Sequence, residues 1–238
     1  MKKIAVVAYS APPYSAGGIA SAHYNLFRAL RAAGYDARLF TFGDPGRVDE
    51  EYIVRRGGPP WLNALLRKWL HLIFKVIKPG QRAYQLSDVL TSYLGARRMG
   101  RAIKAFEPDV VILSDHGAPG LGLPPLPGTR VIISSHHNPA RFANDPLLGK
   151  FSKLDARMAV ALEQRAINRA DAVYCSSAYT SDWFERTYRF DGPIHVIPNL
   201  LDEDMLTSVA PQDLRPSLGL DNDATLIYMP SATSRLKG

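Results

Sequence analysis

Histidines follow two of the apolar, β-prone runs of this sequence. His116 comes shortly after the run 110–114, and His136 and His137 come directly after the run 131–135. Because ligands of open α/β sheets bind outside the carboxyl ends of the strands, these imidazoles are expected to face a cleft and bind a substrate there. Adjacent side chains of an extended segment point in different directions, so His136 and His137 would not chelate one metal ion, and we expect no metal site. A structural hydrogen-bonding role for each histidine is the alternative.

A turn-rich loop with two glycines leads from the first apolar run into a helical pattern; it contains Tyr14, Gly17 and Gly18. Glycine lets the backbone approach a ligand closely, and the unpaired N–H groups at a helix start favour an anion or a hydroxyl-rich group. The loop lacks the Gly-x-Gly-x-x-Gly spacing of dinucleotide folds and the lysine of a phosphate-binding P-loop. We expect it to contact substrate, and a plain tight turn is the alternative.

Two cations, Arg235 and Lys237, lie in the polar stretch after a predicted strand over 224–229. A cation in such a loop suits a diphosphate, whose charge it would neutralise. A solvated tail is the alternative.

The elements that position these residues alternate between strands and helices. Near-continuous Val/Ile/Leu runs indicate strands buried on both faces of a sheet, and apolar residues at three- and four-residue steps indicate helices. The predicted strands cover 4–9, 37–42, 110–114, 131–135, 172–176 and 194–197. The predicted helices cover 19–33, 152–169 and 181–188. This order predicts an α/β fold with a doubly wound, parallel, Rossmann-like sheet.

The character of the sequence changes after residue 199, where an acidic, proline-containing connector precedes one predicted strand. One strand and a loop cannot form a core of their own. We therefore expect 1–199 to form a first domain, and 200–238 to be the linker and first strand of a truncated second domain.

Composition excludes several classes of protein. The chain has 238 residues, 46% hydrophobic and 21% charged, which is unlike collagen-like, disordered or disulfide-rich chains. Its single cysteine, Cys175, lies in an apolar run, which predicts a small buried thiol in a reducing cytoplasm. The formal charge is +7, and the excess lies between Arg55 and Lys104, where eleven basic residues accompany one acid. That segment predicts an anionic partner, and no stacking platform or recognition motif points to nucleic acid.

The segment 59–78 combines tryptophans with cations. On a helix its apolar residues would share one broad sector, which includes Trp61, Leu65, Leu72, Ile73 and Val76. One interpretation is an interfacial helix on an anionic membrane surface, which would attach a cytoplasmic protein to the inner face of the membrane. The other is a core helix with a cationic outer face, and the sequence favours this second interpretation slightly.

Seven segments follow one another in a recognisable order. They are 12–19 (PPYSAGGI), 30–40 (LRAAGYDARLF), 108–116 (PDVVILSDH), 131–137 (VIISSHH), 162–177 (LEQRAINRADAVYCSS), 194–202 (IHVIPNLLD) and 226–229 (LIYM) with Lys237-Gly238. Each segment alone is only a weak match. The ordered series, which covers essentially the whole chain, resembles the N-terminal half and the start of the C-terminal half of a family 4 retaining glycosyltransferase with the GT-B architecture.

The resemblance implies that a sugar moves from a nucleotide-diphosphate sugar to an acceptor hydroxyl of a glycan or a lipid-linked acceptor, with retention of configuration. In such enzymes the C-terminal domain holds most of the donor, and the N-terminal domain holds most of the acceptor. By position, His136 matches the strand-end histidine beside the reacting sugar and is the implied catalytic residue. Gly17 and Gly18 would approach the donor, and Lys237 matches the lysine that stabilises the leaving diphosphate.

Asn199 and Asp202 match the interdomain Asn-Gly-Val-Asp segment of the family, with Leu200 in place of glycine. Tyr14, His116 and His137 complete the expected substrate-binding set. No cofactor is implied besides the donor substrate, and most family members need no metal.

Two features depart from the family pattern. Residues 230–232 (PSA) stand where Gly-Arg is usual, and the Glu-x7-Glu segment of the donor domain is absent from this sequence. We therefore expect weak or no transfer from these residues alone.

Two other functions stay open. A non-catalytic module that binds a glycan or a partner would keep the acceptor cleft without the donor domain. An oxidoreductase or a sugar epimerase has a similar sheet; the missing Gly-x-Gly-x-x-Gly argues against the oxidoreductase, and only the ordered resemblance argues against the epimerase.

Overall fold

The computed structural model describes residues 1–15, 17–44, 47–77, 83–144, 152–201, 207–208, 210 and 212–227. The strands are β1 (Lys3–Ala8), β2 (Asp36–Thr41), β3 (Arg47–Asp49), β4 (Ile53–Arg56), β5 (Val110–Ser114), β6 (Arg130–Ser135), β7 (Ala172–Cys175) and β8 (Ile194–Val196). The helices are α1 (Gly18–Ala32), α2 (Pro60–Ile77), α3 (Gln85–Phe106), α4 (Pro139–Asn144), α5 (Lys153–Ile167), α6 (Ala178–Thr187) and α7 (Arg215–Leu218), with a 3₁₀ turn over Pro119–Leu121.

The described strands form one sheet in the order β3-β4-β2-β1-β5-β6-β7-β8. All neighbouring pairs are parallel except β3 with β4 at the edge, which is antiparallel. The chain winds outward from β1 in both directions, so the predicted doubly wound, Rossmann-like α/β fold is confirmed.

Strand β1 shows why both faces of the sheet are apolar. Its alternate residues Ile4 and Val6 pack with Phe27 of α1 on one face. Ala5 and Val7 join a second cluster with Met99 of α3 on the other face. A strand with helices on both sides must be apolar at every position, as the uninterrupted run in the sequence predicts.

A third cluster lies under α5 and α6, where β6 and β7 contribute Ile133, Val173 and Cys175. Cys175 is fully buried, and burial raises the pKa of its thiol to about 11. The thiol is therefore a packing group, and the prediction of a buried structural cysteine is confirmed.

Asp155, in the first turn of α5, closes the N-terminus of α3. Its carboxylate accepts hydrogen bonds from the backbone N–H groups of Tyr84, Gln85 and Leu86 at 2.7–2.9 Å. These are the N–H groups that a helix start leaves without partners. The contact fixes α3 against α5.

The sequence analysis identified most strands to within two residues and missed five of the described strands and helices. It named neither the short edge strand β3 nor β4 beside it, and it named no helix over Gln85–Phe106, Pro139–Asn144 or Arg215–Leu218. The inner face of α3 is buried but polar in its first two turns, where Ser87 and Asp88 replace the apolar residues that a periodicity search needs. Of the expected strand over 224–229, the described residues 224–227 do not form a strand. The domain boundary at residue 199 stays a prediction.

Helix α2 contradicts the favoured interpretation of the segment 59–78 as a core helix. Of Pro60–Ile77, all of which the structure describes, only Phe74 is buried. Phe74 packs with Ala83 and Leu86, and the exposed side chains of Trp61 and Trp69 point away from that contact. Apolar periodicity identified the helix correctly, but it could not identify which apolar sector faces the protein. None of the described helices is long and apolar enough to cross a bilayer.

Candidate functional site

The candidate site lies at the carboxyl ends of β1, β5 and β6, which are consecutive in the sheet. Three loops emerge there, and their described residues are 9–15 with 17, 115–118 and 136–138. The parallel register aligns Ser114 of β5 with Ser134 of β6, so the two histidine-containing loops lie side by side. The structure thus confirms that these histidines lie together at the carboxyl ends of the strands, as the sequence predicts.

Asp115 organises the turn after β6. Its carboxylate accepts the Ser135 hydroxyl at 2.9 Å and the backbone N–H groups of His136 and His137 at 3.0 and 2.9 Å. Burial raises the pKa of Asp115 to about 6, although these hydrogen bonds favour the ionised form. At neutral pH the ionised group therefore fixes the backbone on which both histidines stand.

His136 is half-buried between two rings. Its imidazole centroid lies 5.5 Å from that of His23 in α1 and 6.5 Å from the ring of Tyr174 in β7. Burial, and to a lesser extent the nearby His23, lower the pKa of His136 to about 4. The ring is neutral at physiological pH, so it offers one hydrogen-bond donor and one acceptor and is a weak base.

His23 is almost fully buried and faces His136. Its Nδ1 donates to the carbonyl of Ile19 at 2.8 Å, so Nε2 is the unprotonated nitrogen. Nε2 has no hydrogen-bond partner among the described residues, and burial lowers the pKa of the ring. His23 belongs to the second turn of α1, so its contact places the start of that helix beside His136. The sequence analysis did not single out His23.

His137 lies in the wall of the site. Its Nε2 donates to Oε1 of Gln85 at 2.7 Å, and its ring packs on Phe142 with centroids 4.6 Å apart. The His116 ring meets it edge-on at 4.8 Å. The two adjacent histidines His136 and His137 thus have different neighbours, as their spacing predicts.

His116 connects the site to α2. Its Nε2 lies 3.5 Å from Oδ2 of Asp88, and Oδ1 of Asp88 accepts from Nη2 of Arg67 at 2.8 Å. Asp88 belongs to α3 and is largely buried, whereas His116 is partly open to solvent. The contacts form a polar chain from the outer helix to the sheet edge.

The glycine loop is open toward solvent. Gly17 caps α1 with extended backbone, and a side chain built at Gly18 would meet no atom of the described chain. The first backbone N–H groups of α1 have no partner within the helix. Tyr14 is half-exposed, and Ala16 lies outside the described residues.

A fully buried arginine supports this loop from below. Arg55 of β4 pairs with Asp44, donates Nε to Glu50 at 3.0 Å and donates Nη2 to the carbonyl of Pro12 at 3.0 Å. Its guanidinium lies 5.0 Å from the ring of Tyr14. The sequence analysis assigned Arg55 to the basic segment and found no signal for this role, because every partner is distant in sequence or in an irregular loop.

Asn199 lies outside the histidine cluster, beyond edge strand β8. It is exposed, and the neighbouring Leu200 accepts a hydrogen bond from Asn25 of α1 at 3.1 Å. This contact holds the start of the linker against α1. Asp202, Arg235 and Lys237 lie outside the described residues.

Among the described residues, no group of three or more His, Cys, Asp or Glu side chains is close enough to hold a metal ion. The described site consists of backbone N–H groups, the imidazoles of the histidine cluster and the buried carboxylates of Asp88 and Asp115.

Comparisons with known proteins identify the family of the chain and support its fold. The family model for Glycosyltransferase Family 4 matches residues 16–205, and no curated protein matches the chain. Sucrose-phosphate synthase from Thermosynechococcus elongatus is structurally similar, with a TM-score of 0.62 and 17% identity over 94% of this chain and 54% of that one. Medicago truncatula UGT71G1, solved with UDP-glucose, has a TM-score of 0.50 and 10% identity over 84% of this chain and 52% of that one. The chain thus spans about half the length of these structures.

Proposed function

The chain belongs to Glycosyltransferase Family 4, and we propose that it forms the acceptor side of a site that transfers a sugar from a nucleotide-diphosphate sugar to an acceptor hydroxyl with retention. The observation that carries this proposal is the contact between α1 and His136. It places a neutral imidazole beside the second turn of α1, the helix that the glycine loop leads into and whose first N–H groups have no partner within the helix.

The weak basicity of His136 suits this reaction. Departure of the nucleoside diphosphate leaves an oxocarbenium-like sugar, so catalysis rests on positioning and on charge at the leaving phosphates more than on a strong base. A neutral His136 would hold a hydroxyl of the sugar or the acceptor through one hydrogen bond. Its neighbours His23 and Tyr174 restrict the ring and therefore orient that bond.

The donor would lie across the glycine loop. Gly17 and Gly18 let a phosphate or sugar approach the N-terminus of α1 without a side chain in the way. Tyr14 would border this position, and Lys237 would neutralise the leaving diphosphate. Asn199 would contact the donor from the linker. Because UGT71G1 was solved with UDP-glucose, that nucleotide sugar is the first donor to test.

The acceptor would enter on the side of β5 and β6. His116 offers a partly exposed imidazole there, and His137 supports it from the wall. A hydroxyl of a glycan or of a lipid-linked acceptor fits this polar edge. We propose that the reaction needs no metal and no further cofactor, that nucleic acid is not a partner, and that the protein acts in the cytoplasm.

The test is sugar transfer by the product of the complete coding sequence, with UDP-, GDP- and ADP-glucose as donors and oligosaccharides as acceptors. His136→Ala should lower kcat by about 100-fold or more with little change in folding. His195→Ala, which removes an exposed histidine of β8, is the matched control and should retain activity. Full activity in His136→Ala would contradict the proposal.

Calorimetry separates transfer from binding alone. Heat on titration with oligosaccharides, together with no heat and no turnover for any nucleotide sugar, would replace the transferase by a glycan-binding module. Binding of a nucleotide sugar supports the transferase.

A further inference from the structure

Helix α2 presents a continuous apolar stripe to solvent. Its residues recur at three- and four-residue steps along one face: Trp61, Leu65, Trp69, Leu72, Ile73 and Val76. Trp61 is 66% exposed, Trp69 57% and Val76 77%. Single exposed apolar side chains are common, but a contiguous stripe with two tryptophans marks an interaction surface.

The fold does not need this stripe. The opposite face of α2 holds the helix in place, through Phe74 and Leu70 in a cluster with Leu86 of α3. The ion pair between Arg67 and Asp88 at 2.8 Å adds a polar attachment on α3. The helix therefore has an anchored face and a free face.

Charge identifies the partner. Lys68 and Lys75 border the stripe on one side, and no acidic residue occurs anywhere in Pro60–Ile77. Lysines beside an apolar stripe allow long alkyl chains to lie along an apolar phase while their ammonium groups stay at a charged surface. Tryptophan suits the same boundary, because its ring is apolar and its N–H is polar.

We propose that α2 lies flat on an anionic lipid bilayer, with the stripe in the headgroup and acyl boundary and with Lys68 and Lys75 at the lipid phosphates. A second copy of the chain fits less well. Two α2 helices packed through the same stripe would bring the lysines of both copies together, with no acid on either helix to pair with them. This docking goes beyond sugar transfer and does not depend on it.

Docking would place the sheet edge close to the lipid. Arg67 of α2 contacts Asp88, and Asp88 contacts His116, so two side-chain contacts separate the docked helix from the candidate site. If the proposed transfer also holds, a lipid-linked acceptor could present its hydroxyl to that edge without leaving the bilayer.

Co-sedimentation with vesicles tests the proposal. Phosphatidylcholine vesicles with and without phosphatidylglycerol are mixed with the chain, with Lys68→Glu/Lys75→Glu and with Trp61→Ser/Trp69→Ser. The unchanged chain should pellet with the anionic vesicles, and each variant should lose about tenfold or more in partition coefficient. Lys2→Glu/Lys104→Glu is the matched control, since it makes the same charge change at two exposed lysines outside α2 and should still pellet.

Fluorescence gives a second readout. The chain has three tryptophans, and Trp183 lies on α6 away from the stripe. In a Trp183→Phe variant, emission from Trp61 and Trp69 should shift to the blue on addition of anionic vesicles, because the indoles leave water.

Three results would overturn the proposal. The first is equal pelleting of Lys68→Glu/Lys75→Glu and the unchanged chain. The second is no binding of the unchanged chain to anionic vesicles. The third is a dimer in sedimentation velocity that becomes a monomer in Trp61→Ser/Trp69→Ser, since the stripe would then bind a second copy. None of these measurements uses a nucleotide sugar, so failure here leaves the transfer proposal unaffected.

Discussion

The turn after β6 and the outer face of α2 place polar and apolar groups in opposite ways. At the turn, the carboxylate of Asp115 is buried and accepts three donors from its own chain. On α2, Trp61 and Trp69 are exposed, and no side chain of the described residues covers them. A buried polar group whose partners all belong to the chain fixes the local backbone. An exposed apolar stripe indicates a surface that a partner outside the chain, such as a lipid bilayer, covers. The two regions therefore predict different responses to substitution.

The largest effect is expected for Arg55, which supports the glycine loop. Arg55→Met leaves the carboxylate of Asp44 buried without its cation, and removal of one partner of a buried ion pair costs about 3–5 kcal/mol. The free energy of unfolding in urea measures this loss. The double variant Asp44→Asn/Arg55→Met removes both charges and should lose less than Arg55→Met alone. Equal losses in the two variants would show that the ion pair does not hold the loop.

Asp115 should give a smaller effect that depends on pH. Burial raises its pKa from 3.8 to about 6, so between about pH 4 and pH 6 the folded state binds this proton more tightly than the unfolded state. Its contribution to stability is therefore greatest at the acid end and falls as the pH rises, by a total on the order of 3 kcal/mol. Asp115→Asn removes the titration.

The comparison is the difference in unfolding free energy between the unchanged chain and Asp115→Asn, measured from about pH 4 to pH 7. This difference isolates Asp115 from the other titrating groups, His23, His136 and Glu163 among them. As the pH rises, the unfolding free energy of the unchanged chain should fall relative to that of Asp115→Asn. A constant difference would mean that the pKa of Asp115 is not raised.

The smallest effect is expected on the outer face of α2. Trp69→Ala removes a large side chain, but the residue is 57% exposed, so the free energy of unfolding should change by about 0.5 kcal/mol or less. Phe74→Ala is the matched control on the anchored face and should cost about 3–5 kcal/mol. A loss at Trp69 similar to that at Phe74 would place the stripe in the core and remove the contrast between the two regions.

The sheet was predictable because β1, β5 and β6 each contain an uninterrupted apolar run. The runs at β1, β5 and β6 need no partner to be recognised, and their order along the chain fixes a doubly wound sheet. β4 was missed because it contains Arg55 and Arg56, whose charges conceal a buried strand. Arg55 is buried only because Asp44 and Glu50 reach it, and no local pattern announces those contacts.

The candidate site was predictable in position and less so in chemistry. Strand ends located His116 and His136 correctly at one edge of the sheet, and a helix period located the stripe of α2. Long-range contacts decided the rest: the partners of Asp115, the protonation of His23 and the outward direction of Trp69. Sequence periodicity cannot supply these, since each depends on which elements meet in space.

The carboxylate of Asp155 has a consequence for how the molecule opens. The amides of Tyr84, Gln85 and Leu86 begin a helix and would ordinarily exchange hydrogen with water by fraying, as the uncapped amides that begin α1 should do. Because Asp155 holds all three from the first turn of α5, their exchange requires the two helices to separate. Segments about 70 residues apart thus open as one cooperative unit. Gln85, which contacts His137 in the histidine cluster, belongs to that unit, so its backbone amide should exchange slowly.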